Sequence, residues 1–276
     1  MLLIALLLAT ATARPADRIA FASSSLNDYN LSLDAQERLV VFARSEAEFK
    51  KARIFLARRT RNGWSEPAPI GFSDGRNADS DPWLTPDGRT LYFISDRAAP
   101  GREEGRTDYD IWRSTKTGKG WPPPERLGPE VNGRGQELGP ELHEGVLYFS
   151  SARRNGIGGL DIYRARQKGA AFETATLLEG PFNSRESDSD FTLSRSGRSA
   201  MFWRSLEGRG IIHISYADKG GWSEPRPLPA NVNIGPFNFT PSFSRDGRRV
   251  RYASTLEREG QASGLADIYE ARLPGH

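Results

Sequence analysis

The chain alternates short runs of hydrophobic residues with turns rich in Gly, Asp and Pro. In a representative stretch the turn Pro86-Asp87-Gly88 leads into Leu91-Tyr92-Phe93-Ile94, which is apolar without interruption. A run of this length between turn residues is typical of a strand that is covered on both faces of its sheet. The pattern therefore predicts an all-β protein.

This stretch occurs in five copies along the chain. The repeat period is 50 to 56 residues, and the copies align at Leu39, Leu91, Leu147, Ala200 and Val250. Each copy is preceded by one extended segment and followed by two more, so one unit contains four short strands. Four-stranded units that repeat at this period make a β-propeller. The predicted fold is a five-bladed β-propeller of four-stranded blades.

The two ends of the repeat predict how the ring closes. The last unit stops at Ala271-Arg272-Leu273 and has no fourth strand. The segment Arg18-Ile19-Ala20-Phe21 precedes the first unit and aligns with the fourth strands that precede the other units. We expect this segment to pair with the last blade, which would leave no exposed sheet edge at the junction.

The N-terminus has the pattern of a secretory signal peptide. Leu2 to Ala9 form an apolar run that is followed by the small residues Ala11-Thr12-Ala13. Eight residues are too few to span a bilayer as a helix, although a buried N-terminal helix is an alternative interpretation. We predict a cleaved signal peptide at 1–13, a single propeller at 14–276 with no transmembrane segment, and a periplasmic or secreted location.

Composition excludes several classes of site. The 276 residues contain no cysteine, so disulfides, zinc–thiolate centres and thiol nucleophiles are excluded. The 38 basic and 35 acidic residues are spread along the chain, and the absence of a Lys/Arg block argues against a nucleic-acid partner. No cofactor is predicted, and we expect a monomer.

Several motifs resemble the TolB-type β-propeller repeat, including copies in periplasmic propellers that are fused to OmpA-type domains. The resemblance lies in the segments Thr85-Pro86-Asp87-Gly88-Arg89-Thr90-Leu91-Tyr92-Phe93 and Gly158-Gly159-Leu160-Asp161-Ile162-Tyr163, and in the linker from Leu127 to Asn132. It covers about residues 18–273 and implies a periplasmic propeller. The partner that the resemblance implies is an envelope protein or a peptidoglycan-associated protein.

One polar position recurs at the start of each inner strand. It is occupied by Asn27, Asp79, Glu137, Asp188 and Asn238. Because the first strand of a propeller blade lines the central channel, we predict that these side chains form a ligand-binding rim at one channel mouth, with Trp83 beside it. The alternative is that they cap the loops between blades, since Asp and Asn bond nearby backbone amides.

The function predicted from the sequence is a non-catalytic module that presents one propeller face to a protein, peptide or envelope polymer. No catalytic residue is predicted under this reading. One alternative is a glycoside hydrolase that uses Asp79, Glu137 and Asp188, which requires two carboxylates about 5–5.5 Å or 6.5–9.5 Å apart. Another alternative is a structural subunit of an envelope complex.

Two further motifs are attributed to chance. Gly71-Phe72-Ser73-Asp74-Gly75 matches a nucleophile elbow, but no helical pattern follows it and His143 and His213 lie in a turn and a strand. Asn77-x-Asp79-x-Asp81 and Asp188-x-Asp190 faintly resemble calcium loops, but both lack the glycine and the glutamate that such loops require. No metal site is predicted.

Overall fold

Five antiparallel sheets follow one another along the chain. The computed structural model describes residues 15–100 and 108–274. The chain begins with the short strand β1 (Asp17–Arg18) and a 3₁₀ turn, η1 (Ala20–Ala22). Blade 1 contains β2 (Asn27–Leu33), β3 (Leu39–Ser45), the 3₁₀ turn η2 (Ala47–Phe49), β4 (Arg53–Thr60), β5 (Gly63–Trp64) and β6 (Ala68–Pro69).

The remaining blades repeat this plan. Blade 2 contains β7 (Asp79–Leu84), β8 (Thr90–Ser95), β9 (Asp110–Thr115) and β10 (Glu125–Arg126). Blade 3 contains β11 (Glu137–His143), β12 (Val146–Ser151), β13 (Asp161–Lys168), β14 (Ala171–Phe172) and β15 (Thr176–Leu177). Blade 4 contains β16 (Asp188–Leu193), β17 (Ser199–Leu206), β18 (Arg209–Asp218), β19 (Gly221–Trp222) and β20 (Arg226–Pro227). Blade 5 contains β21 (Asn238–Phe243), β22 (Arg249–Ser254) and β23 (Asp267–Arg272).

The prediction of a five-bladed β-propeller is confirmed. Each sheet runs from an inner strand through two long strands to a short outer strand, as in the order β2-β3-β4-β5. The outer strand departs from the prediction in blades 1, 3 and 4, where two separate two-residue pieces pair with the third strand. Pro67, Pro225 and the irregular residues between the pieces interrupt the ladder, because proline cannot donate to it.

Ring closure by the N-terminal segment is also confirmed. Strand β1 pairs antiparallel with β23, and the Ile19 N–H donates to the Ile268 carbonyl oxygen at 2.8 Å. The pairing is shorter than predicted, because residues Ala20–Ala22 leave the sheet as a 3₁₀ turn. That turn places Phe21 against Trp64 of blade 1, with ring centroids 5.2 Å apart. The segment therefore joins the last blade to the first.

The hydrophobic core lies between neighbouring sheets. Leu91 and Phe93 of β8 pack against Val41 and Ile54 of blade 1, and all four side chains are fully buried. The same arrangement recurs between the other blades, which explains why the repeated strands are apolar on both faces. No helix in the described ranges is long and apolar enough to cross a membrane. The predicted signal peptide, residues 1–13, lies outside the described residues.

Candidate functional site

A β-bulge interrupts every inner strand at the same position. The pairing with the second strand shifts there in all five blades. The residues at the bulges all have left-handed φ values between 48° and 59°, and they are Asn30, Asp81, Gly139, Asp190 and Thr240. Asn and Asp tolerate this conformation better than other non-glycine residues. Because a bulge redirects side chains, it brings these residues together around the propeller axis.

The bulges are bonded to one another from blade to blade. The Gly139 N–H donates to Asp81 Oδ2 at 3.0 Å, and the Thr240 N–H donates to Asp190 Oδ2 at 3.1 Å. The Asn30 N–H donates to Thr240 Oγ1 at 3.2 Å. Gly139 is required here, because a Cβ at this position would lie 2.5 Å from Asp190 Oδ1. Asp81 and Asp190 therefore flank the same glycine.

A central pocket of about 470 Å³ opens from these carboxyl groups. Its lining comes from the second halves of the inner strands and from the turns that connect the first and second strands of each blade. The lining includes the charged and aromatic residues Asp81, Trp83, Glu141, Asp190, Arg195, Arg245 and Arg251. The pocket therefore opens on the face that carries the turns between first and second strands.

Asp81 and Asp190 form the floor of the pocket. Burial raises the pKa of the Asp81 carboxyl above its ordinary value. Burial is also the main cause that raises the pKa of Asp190, and the negative charge of Asp81 raises it further. Two neighbouring carboxylates in a site of low dielectric do not both ionise readily. The two carboxyl groups therefore tend to hold one proton between them.

Glu141 lies on the pocket wall, two residues beyond Gly139. Its Oε1 accepts a hydrogen bond from the Leu193 N–H at 3.0 Å, and the side chains of Thr192 and Trp83 also bond to its carboxyl group. Burial outweighs these hydrogen bonds and raises the pKa of Glu141 to about 7. A carboxyl group with this pKa can donate a proton near neutral pH.

A layer of aromatic side chains lies beneath the floor. Trp203 Nε1 donates to Asp190 Oδ2 at 2.7 Å, and its ring contacts Phe237 at 5.0 Å between centroids. Phe49 of η2 packs edge-on against Tyr29 and Phe239, with centroids 5.2 and 5.8 Å away. None of these five aromatic residues lines the pocket. They separate its floor from the opposite face of the propeller.

The five predicted rim residues are buried at that opposite end of the inner strands, and none of them lines the pocket. The carboxylates are paired with arginines: Asp79 with Arg97, Glu137 with Arg153 at 3.1 Å, and Asp188 with Arg204 at 2.6 Å. Asn27 Oδ1 accepts the Ala266 N–H of blade 5, and Asn238 Nδ2 donates to the Gly210 carbonyl oxygen of blade 4. These contacts hold the loops between blades and bond one blade to the next, as the loop-capping alternative expects. A ligand-binding role for this rim stays a prediction.

Trp83 is the one predicted site residue that lines the pocket. The residues that sequence reasoning missed are Asp81 and Glu141, which lie two and four positions beyond the predicted Asp79 and Glu137, and Asp190, two positions beyond Asp188. For Asp81 and Asp190 the one sequence signal was the Asp-x-Asp pattern, which had suggested only a weak calcium loop, and Glu141 had no such signal. In the described ranges no group of three or more His, Cys, Asp or Glu residues could hold a metal ion.

The nucleophile-elbow match has a structural explanation. Ser73 is fully buried, and its Oγ accepts the Ile54 N–H at 3.0 Å. The same hydrogen bond to a third strand is made by Asn132 in the next linker, whose Oδ1 accepts the Ile111 N–H at 2.7 Å. Ser73 therefore fastens the linker to its blade and does not face the pocket.

The raised carboxyl pKa values predict an unusual dependence of stability on pH. Burial raises the pKa values of Glu137 and Glu141 from about 4.5 to about 7, so the folded protein holds protons that the unfolded chain releases in this window. The free energy of unfolding should therefore fall as the pH rises from about 5 to about 8. Thermal unfolding across this range should show a lower Tm at the alkaline end.

The variant Glu141→Gln should reduce this fall, because it removes one of the titrating groups. Glu207→Gln, in an exposed turn, should leave the pH dependence unchanged. A Glu141→Gln profile that runs parallel to that of the unmodified protein would contradict the pKa assignment of this group.

The comparisons with known proteins concern the fold. No family model matches the chain, and no curated protein matches it. An α-L-arabinofuranosidase from Lactobacillus brevis is similar in structure, with a TM-score of 0.62 and 16% identity over 92% of this chain and 93% of that chain. A gluconolactonase from Xanthomonas campestris gives a TM-score of 0.51 and 12% identity over 96% of this chain and 99% of that chain. TolB from Acinetobacter baumannii gives a TM-score of 0.53 and 15% identity over 91% of this chain. The match covers 56% of the length of TolB.

These matches correct the predicted function. Most of the similar structures are enzymes: the arabinofuranosidase, further glycoside hydrolases and the lactonase. The prediction of a non-catalytic binding module is therefore wrong, and the glycoside hydrolase alternative fits these findings better. The prediction considered only the carboxylates at the repeated position, which are paired with arginines away from the pocket, whereas the bulges bring Asp81, Glu141 and Asp190 of different blades into it. At 11 to 16% identity the likeness establishes the fold, which is a β-propeller.

Proposed function

We propose that the protein is a glycoside hydrolase whose catalytic carboxyl groups lie in the central pocket. The observation that carries the proposal is that Asp81, Glu141 and Asp190 come from three different blades and converge in this single pocket. Glycoside hydrolysis requires one carboxylic acid and one carboxylate on either side of the scissile bond. The similar structures of arabinofuranosidases and other glycoside hydrolases support the same class of reaction.

Glu141 is the proposed general acid. With a pKa of about 7, its carboxyl group holds a proton in weakly acidic solution and can transfer it to the glycosidic oxygen as the bond to the sugar breaks. The backbone N–H of Leu193 and the indole N–H of Trp83 fix the orientation of this carboxyl group. Once the proton has left, the same two donors stabilise the carboxylate that remains.

Asp81 is the proposed partner carboxylate. Its Oδ2 accepts the Gly139 N–H, and its other oxygen accepts the Ser80 hydroxyl at 3.1 Å. Both bonds favour the ionised state, so Asp81 can activate a water molecule or attack the anomeric carbon. We assign the proton that the pair shares to Asp190, so that Asp81 carries the single charge on the floor and Asp190 acts as a positioning residue.

The first experiment is an assay of purified protein on p-nitrophenyl glycosides and on polysaccharides with natural linkages. We expect hydrolysis of at least one substrate, and a loss of about 10²- to 10⁴-fold for Glu141→Gln on natural linkages. The loss should be smaller on p-nitrophenyl glycosides, because nitrophenolate leaves without a proton. The variant Glu207→Gln should retain full activity. Absence of hydrolysis on every substrate, or full activity of Glu141→Gln, would contradict the proposal.

Three expectations from the sequence stay predictions. They are membership of the TolB-type repeat family, export through the segment 1–13, and a monomeric state. The first is supported by the repeat motifs and by the structural likeness to TolB. None of them is required by the proposed chemistry.

A further inference from the structure

Two arginines lie on one side of the pocket mouth, whereas the acidic residues Glu37 and Glu144 line the pocket at other turns. Arg195 and Arg245 occupy equivalent positions in blades 4 and 5, directly after the serine that follows the inner strand. Both side chains line the pocket. The equivalent positions in blades 1, 2 and 3 are Ala35, Pro86 and Glu144, and none of them is basic. The positive charge therefore arises from two neighbouring turns and is not a property of the repeat.

Neither of these two arginines is engaged elsewhere. Within residues 15–100 and 108–274, the guanidinium groups of Arg195 and Arg245 make no hydrogen bond or ion pair, and both residues are exposed. The more buried arginines of this protein do have acidic partners, as Arg44 has Asp28 and Arg204 has Asp188. Arg195 and Arg245 are therefore available to a ligand that enters the pocket.

A third arginine lies in the wall next to them. Arg251 of β22 lines the pocket, and its guanidinium is held by Glu270 at 2.8 Å and by Glu37 at 3.1 Å. Since Arg251 is only 14% exposed and already paired, it contributes less free charge than the two arginines of the turns. On the opposite side of the pocket, the Trp83 indole offers an apolar face.

We propose that the pocket accepts a saccharide with an acidic substituent, a carboxylate or a sulfate, which Arg195 and Arg245 bind at the mouth. This inference rests on the proposed function for the saccharide, whereas the two arginines account for the acid group. Guanidinium groups bind carboxylates and sulfates through paired hydrogen bonds, and they remain charged at any physiological pH. The sugar ring between the mouth and the floor lies within reach of Trp83 and Glu141.

The test compares two double variants made in the same turns. Arg195→Ala/Arg245→Ala removes the arginines that line the pocket. Arg198→Ala/Arg248→Ala removes the same amount of charge three residues later in each turn, where the side chains do not line the pocket. Calorimetric titration should use a galacturonic acid trimer, a sulfated disaccharide from heparin, and cellotriose as the neutral probe.

We expect the unmodified protein to bind one of the two acidic probes at least tenfold more tightly than cellotriose, with a preference that weakens at high salt. Arg195→Ala/Arg245→Ala should abolish this preference, and Arg198→Ala/Arg248→Ala should change affinity less than twofold. The acidic probe that binds identifies carboxylate or sulfate as the recognised group. Equal binding of all three probes, or an equal effect of both double variants, would overturn the inference.

The two proposals fail in different ways. If the protein hydrolyses neutral glycans and Arg195→Ala/Arg245→Ala does not change the rate, the proposal of an anionic substrate is overturned. The glycoside hydrolase proposal then remains in place. Binding of an acidic probe through the two arginines, without hydrolysis of any glycan, would overturn the glycoside hydrolase proposal and leave the anion site in place.

Discussion

Asp81→Asn is expected to lower kcat on the best glycoside substrate by about 10³-fold or more. The substitution removes the one charge on the pocket floor that can act as base or nucleophile. The fold should survive, because the asparagine side-chain oxygen can still accept the Gly139 N–H that the aspartate accepts at 3.0 Å. Circular dichroism and Tm should therefore stay close to those of the unmodified protein while kcat falls.

A second readout separates a catalytic role from a structural one. The charge of Asp81 is a cause of the raised pKa of Asp190, so in Asp81→Asn the pKa of Asp190 should fall. The residual activity should then have a different pH profile. In the truncating variant Asp81→Gly, azide or formate should restore part of the rate by occupying the space of the lost carboxylate. These changes would not follow from a purely structural defect.

The matched control is Asp87→Asn, which alters an exposed turn of the same blade. Asp87 Oδ1 accepts the Arg89 N–H and does not line the pocket, so this variant should keep full activity. If Asp81→Asn retained its rate, or if Asp87→Asn lost as much, Asp81 could not be the partner carboxylate of Glu141.

The blades could be predicted because each repeats a strong local pattern. Leu91 and Tyr92 are buried on opposite faces of one strand, and a related, largely apolar run recurs at the second strand of every blade. The repeat also predicted how the ring closes. The last unit has no fourth strand of its own, so that strand had to come from another part of the chain, which is the N-terminal segment. The 3₁₀ turn at Ala20–Ala22 was missed because it arises from packing of Phe21 on Trp64, which is a contact with another blade.

The site could not be predicted in the same way. A shift of one residue in a strand reverses which side chains face the axis, and each inner strand contains such a shift at its bulge. Asp79 and Asp81 look equivalent in the sequence, yet the first pairs with Arg97 inside its blade and the second lies on the pocket floor. The bulges depend on hydrogen bonds between blades, such as that from Thr240 to Asp190, and these are not visible in the sequence.

Removal of residues up to Ala22 is expected to destabilise the folded protein by about 4 kcal/mol or more. The deletion exposes the outer edge of β23 and removes the hydrogen bond from Ile19 to Ile268. It also removes Ile19 and Phe21 from the hydrophobic cluster that joins blades 5 and 1. Full burial of an apolar side chain contributes about 1.5–3 kcal/mol, of which the half-buried Ile19 and Phe21 each supply about half, and each lost hydrogen bond contributes about 1 kcal/mol. Tm should fall by about 10 °C.

Two comparisons establish that the loss comes from an open ring. Phe21→Ala should reproduce about half of the effect, because it removes the stacking on Trp64 and keeps the strand. Arg18→Ala, an exposed position on β1, should change Tm little. A synthetic peptide of residues 15–26, added to the truncated protein, should raise its Tm with the logarithm of peptide concentration above the dissociation constant, as binding to the folded state requires. An unchanged Tm after truncation would mean that the first and last blades hold together without the N-terminal strand.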